Sequence, residues 1–136
     1  MGQEQTKQVI VMRVKYPDAK GNTFSLRRGK EIAQASHASL SFLTRRLDEK
    51  GNLVLPLSGP QIEWLNSSYA KVTVKVTSEE ELMEIHDKAK EAGLEVHLIT
   101  DSGRTEFHGV PTKTCLAIGP DYVSKVDKIT GHLSLL

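Results

Sequence analysis

The sequence ITDSGRTEF places a carboxylate, a guanidinium and hydroxyl groups directly after an apolar segment. Asp101 follows a predicted strand, and ligands in α/β sheets are usually held at strand ends and in the loops beyond them. A carboxylate in that position can orient or deprotonate a water molecule. Nearby side chains that can bind oxyanions or phosphates are Arg104, Thr105, Thr112 and Thr114. The alternative is a loop whose Asp and Thr side chains only satisfy backbone amides.

A second set of polar residues occupies one side of the helix predicted in SLRRGKEIAQASHASLSFL. Lys30, Gln34, His37 and Ser41 fall within roughly 60° of one another around a helix axis. This stripe either belongs to a site or faces solvent. A lone histidine is usually a packing or hydrogen-bonding residue, and nothing near His37 has the spacing of metal ligands. We therefore predict no metal and no cofactor.

Three cations, Arg27, Arg28 and Lys30, crowd the start of this helix, where the positive end of the macrodipole disfavours them. The charge of the whole chain is also uneven. The first 50 residues contain ten Lys or Arg and five acids, and the remaining residues contain eight and twelve. Either a basic face attracts phosphates, or these are ordinary solvated charges.

The bulk composition is that of a globular protein. With 136 residues, 38% hydrophobic and 26% charged, the chain is expected to form a single domain over 1–136. The one cysteine, Cys115, excludes an intramolecular disulfide. The N-terminal residues lack the apolar core of a secretory signal, and no apolar run approaches the roughly 18 residues that span a bilayer. We expect a cytoplasmic protein with no membrane partner.

Alternating strand and helix patterns predict a layered α/β fold with a four-stranded sheet. The predicted strands are 8–14, 69–76, 94–100 and 114–119. The predicted helices are 29–46, one capped by Ser78 and ended by Gly93, and one opened by Pro120 and Asp121 and ended by Gly131. Residues 15–24 are rich in turn formers and predict a loop. The spacing in the first helix predicts one buried side, formed by Ile32, Ser36, Leu40, Leu43 and Leu47.

Four motifs together carry a specific resemblance. RRGKEIAQASHAS, TDSGRTEF, TKTCLAIGP and VDKITGHLSLL occur in an order that closely resembles the archaeal and eukaryotic type of peptidyl-tRNA hydrolase, type II. The similarity runs from KQVIVMRV to the last leucine. It implies a three-layer α/β/α sandwich with a mixed four-stranded sheet, commonly a homodimer. The implied activity is metal-independent cleavage of the ester between a peptide and the tRNA 3′ ribose, so that peptidyl-tRNA is the partner.

The resemblance also assigns roles to individual residues. It implies a catalytic set of Lys30, Asp101, Thr105 and Thr112. Gln34 and His37 match the helix motif AQxxHA and are predicted to bind substrate, as are Arg27, Arg28 and Arg104. Arg13, Lys15, Lys20, Arg45 and Arg46 would extend the same basic face toward RNA phosphates.

Two departures from the usual family pattern bear on the substrate. The link VKYPDAKGNTFSLR between the first strand and the first helix is several residues longer than usual. Glu106 stands where the family usually has Gln, and it adds negative charge beside a site meant to meet RNA. Both features affect the geometry and the charge that a tRNA would encounter.

The predicted mechanism is direct attack by water. Asp101 would position or activate the water, and Lys30 would neutralise the oxyanion or hold Asp101 ionised. Thr105 and Thr112 would donate hydrogen bonds around the reacting carbonyl or the ribose hydroxyl. The alternatives are a non-catalytic tRNA-binding or protein-interaction module on the same fold, and a small-molecule hydrolase without a nucleic-acid role.

Overall fold

A mixed four-stranded sheet forms the centre of the computed structural model, which describes residues 4–136. The strands are β1 (Thr6–Arg13), β2 (Tyr16–Pro17), β3 (Thr23–Phe24), β4 (Lys71–Val76), β5 (Val96–Asp101) and β6 (Thr112–Tyr122). The helices are α1 (Arg28–Thr44), α2 (Gly59–Leu65), α3 (Glu79–Glu91) and α4 (Val123–Thr130). Within residues 4–136, no helix combines the length and the apolar composition needed to cross a membrane.

The sheet has the strand order β4-β1-β6-β5. β1 is parallel to β4 and antiparallel to β6, and β6 is antiparallel to β5. At the end of the β5–β6 ladder, Asp101 lies opposite Thr112. The register therefore places two of the predicted site residues side by side.

Side-chain alternation along β1 divides the core into two layers. Val9 and Val11 pack with residues of α3 and α4, whereas Ile10 and Met12 pack with Ala38 of α1. Successive strand residues point to opposite faces, so β1 is covered on both sides. The predicted three-layer α/β/α arrangement is confirmed.

The predicted buried side of α1 is wrong. Ile32 and Leu40 are 60% and 55% exposed, and the residues that face the interior are Gln34, Ala38 and Phe42. Small side chains on the inner face let the helix approach the sheet closely, and the larger aliphatic side chains point outward. The helix is amphipathic, as the spacing predicted, but the sheet covers a different side of it from the apolar stripe.

Residues 15–24 form a short hairpin of β2 and β3 where the sequence predicted a loop. Its turn is held by Asp18, whose carboxylate accepts hydrogen bonds from the backbone N–H groups of Lys20 and Asn22. The strands of the hairpin are anchored by Tyr16 and Phe24, whose rings lie 4.9 and 6.0 Å from the ring of Phe107. This contact fixes the hairpin against the loop that follows Asp101.

The last helix begins later than predicted, because Pro120 and Asp121 belong to the long strand β6. The predicted start of α3 is confirmed. The Ser78 hydroxyl accepts a hydrogen bond from the backbone N–H of Glu81, and Gly93 follows the helix with a φ of 77°. That conformation favours glycine.

A polar network around Glu95 joins α1, α2 and β5. Arg46 donates two hydrogen bonds of 2.8 Å to the Glu95 carboxylate, and Gln61 donates a third of 2.9 Å. His97 Nε2 lies 2.6 Å from Glu95 Oε2. Burial alone would raise the pKa of Glu95, but the contacts with His97, Arg46 and Gln61 outweigh it and hold the pKa well below its usual range.

Substituting Glu95→Gln should lower the free energy of unfolding at pH 7 by about 2 kcal/mol, because it leaves the buried Arg46 guanidinium without its counter-charge. Folding lowers the Glu95 pKa, so the stabilisation is fully present above the unfolded pKa of about 4.3 and is lost as the pH falls through the folded pKa. The difference in the free energy of unfolding between wild type and variant should therefore be largest near neutral pH and should become small below about pH 4. Urea unfolding at several pH values measures it.

Glu84→Gln is the matched control for this experiment. Glu84 forms an exposed i,i+4 pair with Lys88, and its loss should change stability by less than about 0.5 kcal/mol. Equal effects of the two substitutions would contradict a structural role for the Glu95 network.

Candidate active site

The ammonium of Lys30 and the carboxylate of Asp101 are in direct contact, with 2.9 Å between Nζ and Oδ1. Lys30 lies in the first turn of α1, and Asp101 is the last residue of β5. Their side chains are 17% and 8% exposed. The pair is therefore shielded from most solvent but accessible from one side.

The loop after β5 holds the second oxygen of the carboxylate. The backbone N–H of Gly103 donates to Asp101 Oδ2 at 2.9 Å. Gly103 has a φ of 84°, and a Cβ at this position would lie 2.1 Å from the carbonyl oxygen of Val110. Both the positive φ and the close approach require glycine at this position. No other residue type at the start of the GRT motif would fit the loop.

Gln34 connects Asp101 to the core of the sheet. Its Nε2 lies 3.5 Å from Asp101 Oδ1, and its Oε1 accepts a 2.6 Å hydrogen bond from the hydroxyl of Thr114. Because Thr114 donates to the carbonyl oxygen of the amide, the amide N–H₂ is directed toward the carboxylate. Gln34 thus helps to hold Asp101 in place.

This arrangement corrects the interpretation of Thr114. Its side chain is fully buried, and its hydroxyl is used by Gln34, so it cannot bind an oxyanion or phosphate of a substrate. Gln34 is also buried, and its amide serves the protein; direct contact between Gln34 and substrate stays a prediction. The sequence spacing indicates this network. Gln34 lies one helical turn after Lys30, and Thr114 lies two positions after Thr112 along the same strand, so each pair shares a face.

The pKa of Asp101 lies below its ordinary value. Burial acts to raise it, but the hydrogen bond from Lys30, the backbone N–H of Gly103 and the charge of Lys30 together lower it. The carboxylate is therefore ionised at neutral pH. A carboxylate of low basicity is suited to orient a water molecule and accept a hydrogen bond from it.

The hydroxyls of Thr105 and Thr112 border the ion pair on its open side. Lys30 Nζ lies 3.4 Å from Thr105 Oγ1, and the Thr112 hydroxyl donates to the carbonyl of Val110 at 2.8 Å. Both threonines line a groove of about 680 Å³. The groove adjoins the Lys30–Asp101 pair through these two residues, since Thr105 contacts Lys30 and Thr112 lies opposite Asp101 in the sheet.

The predicted basic face is smaller than expected. Arg28, His37 and Arg104 are exposed. Arg27 is also exposed, but its Nε donates to Glu106 Oε1 at 2.8 Å. Two cations that the sequence added to this face are buried and serve the protein instead: Arg13, which donates to backbone carbonyls, and Arg46, which binds Glu95.

Two further observations concern a thiol nucleophile and metal binding. Burial raises the pKa of the Cys115 thiol to about 11, so the thiol is protonated at neutral pH and is a poor nucleophile. Within residues 4–136, no group of three or more His, Cys, Asp or Glu side chains is placed to hold a metal ion.

A Lys–Asp ion pair with the Thr105 hydroxyl beside it, at a strand end in a three-layer α/β/α sandwich, defines a compact α/β protein with a charged, largely shielded site. The family model described as peptidyl-tRNA hydrolase PTH2 matches residues 6–136. The chain therefore belongs to the peptidyl-tRNA hydrolase PTH2 family and is a hydrolase, as the sequence motifs predicted.

Individual relatives agree with this assignment. The chain is 42% identical over 131 residues to a peptidyl-tRNA hydrolase of Methanopyrus kandleri, covering 96% of this chain and 97% of the relative. It is 39% identical over 130 residues to a peptidyl-tRNA hydrolase of Methanocaldococcus jannaschii, covering 96% and 99%. A probable peptidyl-tRNA hydrolase 2 of Dictyostelium discoideum is 36% identical over 129 residues, covering 95% of this chain and 54% of the relative.

Proposed function

We propose that this chain, acting as a single domain, hydrolyses the ester between the C-terminal carbonyl of a peptide and the 3′ ribose of tRNA, with water as nucleophile and without a metal ion. The observation that carries the proposal is the contact between Lys30 and Asp101, next to Thr105, which lines an open groove. Products of the reaction are a free peptide carboxylate and a tRNA with a restored ribose hydroxyl.

In this mechanism, the ionised carboxylate of Asp101 orients the attacking water toward the ester carbonyl. Lys30 contributes in two ways. It holds Asp101 ionised through their contact, and it stabilises the negative charge that develops on the carbonyl oxygen. A lysine ammonium has three N–H groups, and contacts with Asp101 and Thr105 leave one for the oxyanion.

Thr105 and Thr112 are placed to bond the reacting group. Both line the mouth of the groove next to the ion pair. The Thr112 hydroxyl donates to Val110, and its oxygen can accept a hydrogen bond from a ribose hydroxyl. Gln34 acts as a positioning residue through Asp101.

The RNA part of the substrate is proposed to bind the exposed cations at the start of α1 and in the loop after β5. These are Arg27, Arg28 and Arg104, with His37 further along α1. The Arg27–Glu106 ion pair competes with phosphate for the Arg27 guanidinium. Peptidyl-tRNA arises during translation, and we propose that the chain acts in the cytoplasm.

We also propose a homodimer formed through the outer side of α1. Ile32 and Leu40 expose an apolar stripe there, and it is continued after the helix by Leu47, Leu53, Val54 and Leu55, which are also exposed. Several exposed apolar side chains on one helix face and in the segment that follows it are typical of a protein interface. A second copy of the chain would cover the side that the amphipathic pattern marked as buried.

Lys30→Ala and Asp101→Asn should each lower kcat/KM for N-acetyl-aminoacyl-tRNA by about 10²-fold or more. Removing Lys30 also removes the hydrogen bond and the charge that help to lower the Asp101 pKa, while the N–H of Gly103 remains, so the acid limb of the residual activity should move to higher pH. Circular dichroism checks that both variants are folded. Treatment with a chelator should leave the wild-type rate unchanged.

Lys7→Ala and Asp127→Asn are matched controls, because these residues form another Lys–Asp pair whose lysine is also 17% exposed. The controls should retain full activity. Full activity in either site variant would remove that residue from the mechanism, and wild-type binding of tRNA without deacylation would favour the non-catalytic module.

Glu106→Gln should raise the affinity for tRNA several-fold, because it frees Arg27 for a phosphate. Each additional phosphate contact steepens the dependence of log Kd on log salt concentration by about 0.7–0.9. Filter binding over a salt series measures both quantities. Glu91→Gln, an exposed acid on the opposite side of the sheet, should change neither, and a Glu106 variant with wild-type affinity and slope would show that Arg27 does not bind RNA.

Ile32→Asp should convert a dimer into a monomer, because a charge at the centre of an apolar interface is left without a partner. Sedimentation at several concentrations distinguishes the two states. Val110→Asp is the control, since Val110 is equally exposed at 59% but lies outside α1. A monomeric wild-type chain would refute the proposed assembly.

A further inference from the structure

The groove beside the ion pair has two walls of different origin. One wall is the β2–β3 hairpin, with Pro17, Ala19 and Phe24, and the other is the loop after β5, with Phe107, Val110 and Pro111. The hairpin lies in the segment between β1 and α1. This segment therefore supplies one wall of a cavity that Thr105 and Thr112 also line.

The two walls are joined by aromatic contacts and present an apolar surface. Tyr16 forms the buried base, with its ring 5.7 Å from Phe24 and 4.9 Å from Phe107. Val110 is 59% exposed. Most binding sites for small organic groups are concave and lined largely by apolar side chains, and the volume of this groove lies within their usual range.

The charges in the groove disfavour the RNA backbone. Three carboxylates line it, those of Asp18, Glu79 and Glu106, of which Glu106 is paired with Arg27 at 2.8 Å and Glu79 lies 3.9 Å from Arg13. Among the lining residues, all of which the structure describes, Arg13 is the one Lys or Arg. Its guanidinium stacks on Tyr16 at 4.5 Å and donates to the carbonyls of Lys15 and Lys113. A phosphate entering the groove would meet these carboxylates and no unpaired Lys or Arg among the lining residues, whose one other basic side chain is the exposed imidazole of His108.

We infer that this groove binds the acyl side of the substrate, with the side chain of the amino acid esterified to tRNA lying between the hairpin and Val110, and that it selects apolar over acidic side chains. The inference rests on the proposed hydrolysis of peptidyl-tRNA. The position of the groove supports it, because a carbonyl that accepts hydrogen bonds from Lys30 and the Thr105 hydroxyl lies at the edge of this cavity, which Thr105 and Thr112 line. The RNA then extends toward the exposed arginines outside it.

The test uses one tRNA body charged with N-acetylated Gly, Leu, Gln or Glu, so that the RNA is constant. Wild type should hydrolyse the Leu ester at least about 10-fold faster in kcat/KM than the Gly ester, as expected for burial of several methyl or methylene groups. It should prefer Gln over the isosteric Glu by about fivefold or more, since the carboxylates of the groove repel the acid.

Two substitutions of Val110, in the exposed wall of the groove, each change one of these two preferences. Val110→Trp fills the groove and should lower kcat/KM for the Leu ester about 10-fold while changing the Gly ester little. Val110→Lys adds a cation and should abolish or reverse the preference for Gln over Glu. Ile62→Trp and Ile62→Lys are matched controls at a site 48% exposed and outside both the groove and the proposed dimer interface, and they should leave every ratio unchanged.

Three results would overturn the inference. Unchanged ratios in both Val110 variants would show that the acyl group lies elsewhere. A uniform loss for all four esters, accompanied by weaker binding of deacylated tRNA, would show that RNA occupies the groove. A wild type that does not discriminate among the four acyl groups would show that the groove is not selective. Failure of wild type to hydrolyse any of the esters would instead refute the proposed function itself.

Discussion

The contact between Lys30 and Asp101 sets the main constraint on the structure. It joins the first turn of a helix to the last residue of a strand, so α1 must lie across the β5 side of the sheet at close range. Small side chains on the inner face of α1, at Ala35 and Ala38, permit that approach. Gln34 then fills the space between the ion pair and the buried hydroxyl of Thr114. Polar side chains therefore occupy the interface between α1 and the sheet at this point. Apolar side chains would pack there without needing hydrogen-bond partners.

Much of the fold followed from local patterns in the sequence. The alternation in β4, the apolar run in β1 and the capped start of α3 are set by neighbouring residues, and the structure agrees with them. The motif around Asp101 and the one around Lys30 were recognisable because each is contiguous. That the two motifs meet is a property of the strand order.

The sequence-based predictions were wrong where contacts with residues far away in the sequence determine the local structure or the burial of a side chain. The apolar stripe of α1 has ideal helical spacing, but the sheet contacts its opposite side, and no local pattern distinguishes the two. The hairpin at 15–24 depends on Phe107, a residue far along the chain. Arg13 and Arg46 looked like surface cations, but carbonyls of Lys15 and Lys113 and the carboxylate of Glu95 bind them inside the protein. Buried partners of this kind cannot be inferred from charge alone.

Gly103 connects two parts of the site that have separate tasks. Its N–H holds the Asp101 carboxylate, and its carbonyl accepts hydrogen bonds from the backbone N–H groups of Phe107 and Gly109. The loop that forms one wall of the groove is thus tied to the residue that orients the carboxylate. An ill-fitting acyl group that displaced this loop would also rotate the carboxylate away from its water. Under the proposed mechanism, misfit would then slow turnover even when the substrate stays bound, and discrimination would operate at the chemical step as well as at binding.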